Sequence, residues 1–161
     1  MRVMGGRGWR AVLAVALGVG GALVPATAAS AAPKPKLVLA ASPLVAVRTG
    51  GRSVVHEELW NLGKAPESAP VLLGVHLPPG VFVTNLPAEC TPLPFGHTAF
   101  CHFPAGLRPG HADRVDIPIA VAHGLPPALL SGQAVGGTGT GSTVTKDAWG
   151  SPDKFLLAVL P

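Results

Sequence analysis

Beyond residue 31 the chain has no methionine and no tyrosine, and its whole length holds only two cysteines, Cys90 and Cys101. Charge is scarce as well, at 12% of residues. Three of the twelve basic residues (Arg2, Arg7 and Arg10) fall in the first ten positions, so the rest of the chain carries nine basic residues against eight acidic. That balance excludes binding to nucleic acid or another polyanion on charge alone. Long helices are excluded by proline: 17 of the 18 prolines lie after Pro25, and no amphipathic stretch with a period of 3.6 survives between them. No internal repeat is present, and the length is that of one domain after a short leader, which rules out a multidomain enzyme.

Catalytic and cofactor motifs are missing too. The glycine-rich stretch Gly136 to Ser142 lacks the Gly-Lys-Ser/Thr of a phosphate-binding loop and breaks the G-x-G-x-x-G spacing, since Ser142 and Val144 stand three places beyond Gly139 and Gly141. It reads as a flexible loop. No G-x-S-x-G elbow occurs.

What is present begins with a leader. A basic stretch, an uncharged apolar run from Ala11 to Val24, and small residues before Ala28 or Ala31 follow the order of a cleaved signal peptide over residues 1–31. The apolar run ends at Pro25, short of the roughly 20 residues that span a bilayer. No cysteine adjoins the cut site, and no sorting motif of the LPxTG type follows the apolar run Phe155 to Leu160. The expected product is a secreted, extracellular monomer without a transmembrane segment. Export places Cys90 and Cys101 in an oxidising compartment, where two lone thiols pair. Closing a ring of about 12 residues contributes about 3 kcal/mol in the chain-entropy account.

Residues 32–36 read as an extended lead-in, and residues 37–161 as one folded unit of short apolar segments cut by Gly, Pro and Asn about every ten residues, the rhythm of an all-β sandwich. Leu37 to Ala41 and Leu44 to Val47 are a first strand broken at Pro43. Asn61-Leu62-Gly63 ends the next segment as a turn. Val71, Leu73 and Val75 alternate on one face, with Leu72, Gly74 and His76 on the other; Val115, Ile117, Ile119 and Val121 alternate likewise. These seven aliphatic residues are the expected core. Pro118 lacks an N–H, so its strand is expected at an edge or with a bulge. In Ser53 to Trp60 either register turns a glutamate inward, Glu57 beside Val55 and Leu59 or Glu58 beside Val54 and Trp60; exposure of one face or a bulge is expected to relieve it.

Among candidate sites, His97, His102 and His111 cluster near the cysteine loop but lack regular spacing and an acidic partner, so no metal or other cofactor is expected. Cys101 and His102 alternate on a strand and cannot share a proton, which argues against a thiol nucleophile. Adjacent Glu57 and Glu58 diverge for the same reason and make a poor hydrolytic pair. Trp60 and Trp149 invite a glycan-binding reading, although two isolated tryptophans more often pack in a core or on a sheet face. The strongest candidate is the loop Thr91 to Ala99, stiffened by proline and the disulfide, with Phe95 as anchor and His97 and His102 beside it.

The order of elements carries a resemblance. Trp60-Asn61-Leu62-Gly63, then Leu77-Pro78-Pro79-Gly80-Val81, then Cys90 and Cys101, then Leu107-Arg108-Pro109-Gly110 before an alternating strand, resembles the "conserved repeat" immunoglobulin-like domains of bacterial secreted and cell-surface proteins. The likeness covers roughly residues 37–122. It implies a Greek-key β-sandwich of about seven strands, used as a spacer, stalk or adhesion module, with no catalytic residues. The function expected is that of a non-enzymatic structural or binding module facing an extracellular protein or cell-surface component. The rival reading is a small enzyme inhibitor presenting the braced 90–101 loop.

Overall fold

Short apolar runs punctuated by Pro and Gly fold into eleven strands in a computed structural model that describes residues 32–161; the expected leader and its cut site lie outside the described residues. In chain order the strands are β1 (Leu37–Ala41), β2 (Leu44–Arg48), β3 (Arg52–Asn61), β4 (Val71–His76), β5 (Val81–Val83), β6 (Cys90–Pro92), β7 (Thr98–Phe103), β8 (Ala112–Val121), β9 (Ala128–Thr140), β10 (Thr143–Asp147) and β11 (Asp153–Leu160). A four-stranded sheet in the order β1-β3-β8-β5 packs against a larger one in the order β2-β11-β9-β4-β7-β6, with β10 paired to β9. Among the described residues there is no α-helix.

The all-β sandwich matches the expectation from spacing. Three of the strands beyond seven have local reasons. Ser42 and Pro43 break the first strand so that β1 joins one sheet and β2 the other, where β2 runs parallel to β11. The cysteine loop contributes β6, and the glycine segment contributes part of β9 and its hairpin partner β10.

All seven expected core residues lie in one buried cluster, joined there by Leu59, Phe155, Leu157 and Val159. Burying each of these aliphatic side chains stabilises the fold by about 1.5–3 kcal/mol relative to exposure. Leu72 is fully buried too, although it faces away from this cluster. It and Phe100 lie over strand glycines: a Cβ on Gly139 would stand 2.7 Å from Leu72 Cδ1, and one on Gly74 would stand 2.5 Å from Phe100 Cδ1. Gly136 to Thr140 is therefore strand, not flexible loop. Its glycines mark close approach of neighbours, a use of glycine that composition alone does not separate from looseness.

Pro118 lies on β8, which is flanked by β3 and β5 and is neither an edge nor bulged against β3. In an antiparallel ladder the N–H and C=O of one residue face the same neighbour. The Pro118 carbonyl accepts from the Thr84 N–H at 2.9 Å, so its missing donor faces the β5 side just past Val83, where that strand has ended.

Glu57 breaks expectation most sharply. β3 pairs with β8 continuously from Arg52↔Ala120 to Trp60↔Ala112, with no bulge, and Glu57 points inward between Val55 and Leu59 at 1% exposure. Neither carboxyl oxygen has a hydrogen-bond partner. Burial holds this carboxyl well above the usual carboxylate range, and the negative charge of Asp153 adds to the rise, which favours the protonated acid. The opposite register would bury His56 and Glu58 together. Instead these face outward and pair with β8, His56 Nδ1 to Asp116 Oδ1 at 2.6 Å and Glu58 Oε1 with Arg114 Nε at 3.0 Å.

Asn61, expected as a turn residue, is fully buried and saturated. Its Oδ1 accepts from the backbone of Lys36 and Gly63 at 3.1 and 3.0 Å, and its Nδ2 donates to the carbonyls of Ala65 and Leu107 at 2.8 and 2.9 Å. One amide thus ties the lead-in, the β3–β4 connection and the β7–β8 connection together.

Candidate functional site

The cysteine loop forms one margin of the larger sheet. Cys90 stands opposite Cys101, Thr91 opposite Phe100 and Pro92 opposite Ala99, and Cys90 and Cys101 are joined as a disulfide. The ladder continues as the Leu93 N–H donates to the Thr98 carbonyl at 2.8 Å. At the tip, Pro94–Gly96 form a 3-10 turn closed by Gly96 N–H to the Leu93 carbonyl at 3.1 Å.

Phe95 sits in this turn at φ +74°, in the left-handed region, with 90% of its surface exposed. A bulky side chain in that region costs free energy of order 1 kcal/mol, and an exposed ring returns nothing through packing. The turn is fixed by Pro94, by Gly96 and by the ladder beneath it, so Phe95 is held outward by its surroundings.

His97 follows directly. Its Nδ1–H donates to the Val81 carbonyl at 2.7 Å, which leaves Nε2 as the free acceptor, and its ring lies against Phe82 with centroids 4.7 Å apart. Phe82 is a member of the site that the sequence reading does not single out. The available signal is the alternation Val81-Phe82-Val83, which buries Val81 and turns Phe82 to the outside. Beside it, Val83, Asn85, Leu86, Pro92, Leu93 and Gly96 line an open hollow of about 370 Å³.

His102 does not join this group. It lies on the outer face of β7, exposed, and lines a separate hollow of about 300 Å³ with Thr91, Leu93, Phe100, Gly141 and Ser142. Leu93 is shared by both hollows. His111 is held elsewhere, its Nδ1 on the Pro109 carbonyl at 3.0 Å. The three histidines therefore do not converge, and among the described residues no three His, Cys, Asp or Glu side chains meet in a group that could hold a metal ion. Residues 91–99 carry no carboxylate, lysine or arginine. What the site offers is a rigid, largely apolar projection with an adjoining hollow, suited to contact.

No protein-family model and no curated protein matches the sequence. Solved structures do match. The seventh ScaB type I cohesin from Pseudobacteroides cellulosolvens aligns with a TM-score of 0.50 at 10% identity, over 78% of this chain and 94% of the cohesin. The Coh-OlpA cohesin–dockerin complex from Clostridium thermocellum aligns with a TM-score of 0.51 at 10% identity, over 78% of this chain and 99% of the matched chain. The fold is a cohesin-like β-sandwich. At such identity the likeness concerns the path of the backbone, and no residue role follows from it.

Proposed function

We propose that this chain is an exported, non-enzymatic module that binds an extracellular protein or cell-surface component through its braced loop. The observation that carries the reading is Phe95, an aromatic 90% exposed at φ +74° on a tip stiffened by a disulfide and two prolines. Such preorganisation lowers the ordering entropy lost on docking, and an aromatic inserted into a partner's pocket is the commonest kind of binding anchor. His97, with Nε2 free, supplies a hydrogen-bond acceptor beside the anchor, and the hollow next to Phe82 can receive an apolar side chain of the partner. His102 sits at the second hollow and contributes to a wider contact.

Further support comes from the fold, since the Clostridium thermocellum neighbour is a cohesin in complex with a dockerin, a protein-binding use of the same sandwich. The finer assignment, to the conserved-repeat immunoglobulin-like domains, rests on the turn motifs from Trp60 to Gly110. Residues 1–31 are proposed as a removed signal peptide, 32–36 as the lead-in and 37–161 as the working domain.

Capture from culture supernatant and cell-wall extract, comparing the wild type with Phe95→Ala, tests the reading. The expected result is a discrete extracellular partner held by the wild type and lost with the variant. Equal recovery by both removes the loop from the function. A captured protease that is stoichiometrically inhibited makes the protein an inhibitor, and turnover abolished by His97→Ala or His102→Ala makes it an enzyme.

A further inference from the structure

The two sheets of the sandwich do not join beside the braced loop. β5 is the last strand of the four-stranded sheet and β6 the last of the larger one, and no ladder links them. Between these margins lies the hollow of about 370 Å³, with Val83 of β5 on one side and Pro92 and Leu93 on the other. Val83 and Leu86 also pack against the core, so part of the wall of the hollow is the flank of the core itself.

Antiparallel pairing fixes which backbone groups face this opening. The Ala122 N–H donates to the Gly80 carbonyl and the Thr84 N–H to the Pro118 carbonyl, each at 2.9 Å, so Gly80, Phe82 and Thr84 are the residues that turn their backbone groups toward β8. From β8, the Val121 N–H donates to the Gly51 carbonyl at 3.0 Å, away from β5. Val81 and Val83 therefore aim N–H and C=O off the free edge. Both groups of Val81 are taken, its N–H by the Pro78 carbonyl at 3.2 Å and its carbonyl by His97. Neither group of Val83 has a partner among the described residues. Across the hollow, β6 is closed to pairing. The Leu93 N–H donates to the Thr98 carbonyl, so Pro92, one residue earlier, is the one turned to the free side, and proline has no N–H to give. One margin thus offers a donor and an acceptor together while the other is blocked.

We propose that the partner presents an extended, uncharged peptide strand, which pairs with Val83 at the edge of β5 and seats an aliphatic side chain in the hollow between the sheet margins. This pairing rests on the proposed role of the braced loop, whose partner it describes. A free N–H and C=O on an edge strand are what an added strand recognises. A helix has used its own backbone groups internally and satisfies neither, whereas an extended chain leaves alternate groups available. None of the lining residues Val83, Asn85, Leu86, Pro92, Leu93 and Gly96 is charged, so an ammonium or carboxylate entering the hollow would lose water without gaining a counter-charge. With one residue of β5 open, the pairing is a short bridge that sets register, and the side chain in the hollow together with Phe95 supplies most of the affinity. The His97 contact to Val81 ties β5 to the loop, so edge, hollow and Phe95 are presented as one surface.

The test uses the purified protein and a phage-displayed library of random dodecapeptides. Enriched peptides are expected to share a segment without Asp, Glu, Lys or Arg and with aliphatic residues at alternate positions. Adding such a peptide should slow hydrogen exchange at the Val83 amide by about tenfold or more, and N-methylation of one particular peptide bond should weaken binding by about the same factor. Val83→Pro removes the outward N–H at a position the ladder does not use, and it should weaken binding about tenfold with an unchanged circular dichroism spectrum. If that variant fails to fold, the exchange and N-methylation measurements decide on the wild-type protein. No enrichment, a required charged residue in the bound segment, unchanged exchange at Val83, or equal binding of every N-methylated form overturns the proposal. Capture of the natural partner separates strand pairing from the role of the loop. Loss with Phe95→Ala and full retention with Val83→Pro leaves the loop in place and overturns strand pairing. Loss with Val83→Pro and full retention with Phe95→Ala supports the strand and removes Phe95 as the anchor.

Discussion

Replacing Glu57 should stabilise this protein, and the gain should grow with pH. In the folded state the carboxyl is 1% exposed, its two oxygens lack partners, and burial followed by the charge of Asp153 holds it well above the usual range. In the unfolded chain it titrates near 4.3, as an ordinary glutamate does. Below that pH both states hold the proton and the group contributes no pH dependence. Above it the unfolded state has released the proton while the folded state retains it, so stability falls by about 1.4 kcal/mol per pH unit until the folded carboxyl itself ionises. Two substitutions separate the contributions. Glu57→Gln keeps the shape and an unpaired polar group but removes the titration, so its advantage over the wild type should be near zero at pH 4 and widen by that slope as pH rises. Glu57→Met also removes the unsatisfied group, worth about a further 1–3 kcal/mol at every pH. Urea unfolding at pH 4, 5, 6 and 7 measures both, with a parallel rise in Tm of about 3 °C per kcal/mol for a chain of this size. A difference between wild type and Glu57→Gln that does not change from pH 4.5 to 6.5 would refute the reasoning. So would a Glu57→Met variant less stable than the wild type throughout, since the carboxyl must then be making an interaction that holds the sheets together.

Two further perturbations follow from the same structure. Cys90→Ser with Cys101→Ser should cost about 3 kcal/mol in denaturant unfolding while the far-ultraviolet β spectrum persists, because the pair closes a short ring between strands that are also hydrogen-bonded; complete loss of structure would show that the strands depend on the bridge. Asn61→Ala should cost about 3 kcal/mol or more, since two partly buried backbone N–H groups and two carbonyls lose their partner together, and hydrogen exchange at Lys36 and Gly63 should accelerate; unchanged protection at both amides would mean that the side chain does not join these segments.

The sandwich, its core face and the pairing of the cysteines were legible in the residues themselves. Alternation along Val71–Val75 and Val115–Val121 specifies which side of each strand seeks cover, because successive side chains on a strand point oppositely. Two thiols in a chain with no others have only each other to pair with. The braced loop was legible for a related reason: its prolines and cysteines restrict the chain locally, before any distant contact forms. Other features depended on neighbours remote in sequence. The burial of Glu57 was decided by the ladder with β8: the register that turns Val55 and Leu59 into the core carries Glu57 in with them and leaves His56 and Glu58 outside, opposite Asp116 and Arg114. Whether Gly136 to Gly139 formed loop or strand was decided by the side chains of Leu39, Leu59 and Leu72 that lie over them. His97 and His102, five residues apart, went to different places: His97, just before β7, lies against Phe82, while His102 lines a hollow on the outer face of β7. Trp149 and Trp60 flank Val38 on either side of β1 only because the chain returns to the edge of β1 about 90 residues after leaving β3. Periodicity and redox chemistry are properties of a segment and can be read from it; register, proximity and the surroundings of a buried charge belong to pairs of segments, and only the folded sandwich brings those pairs together.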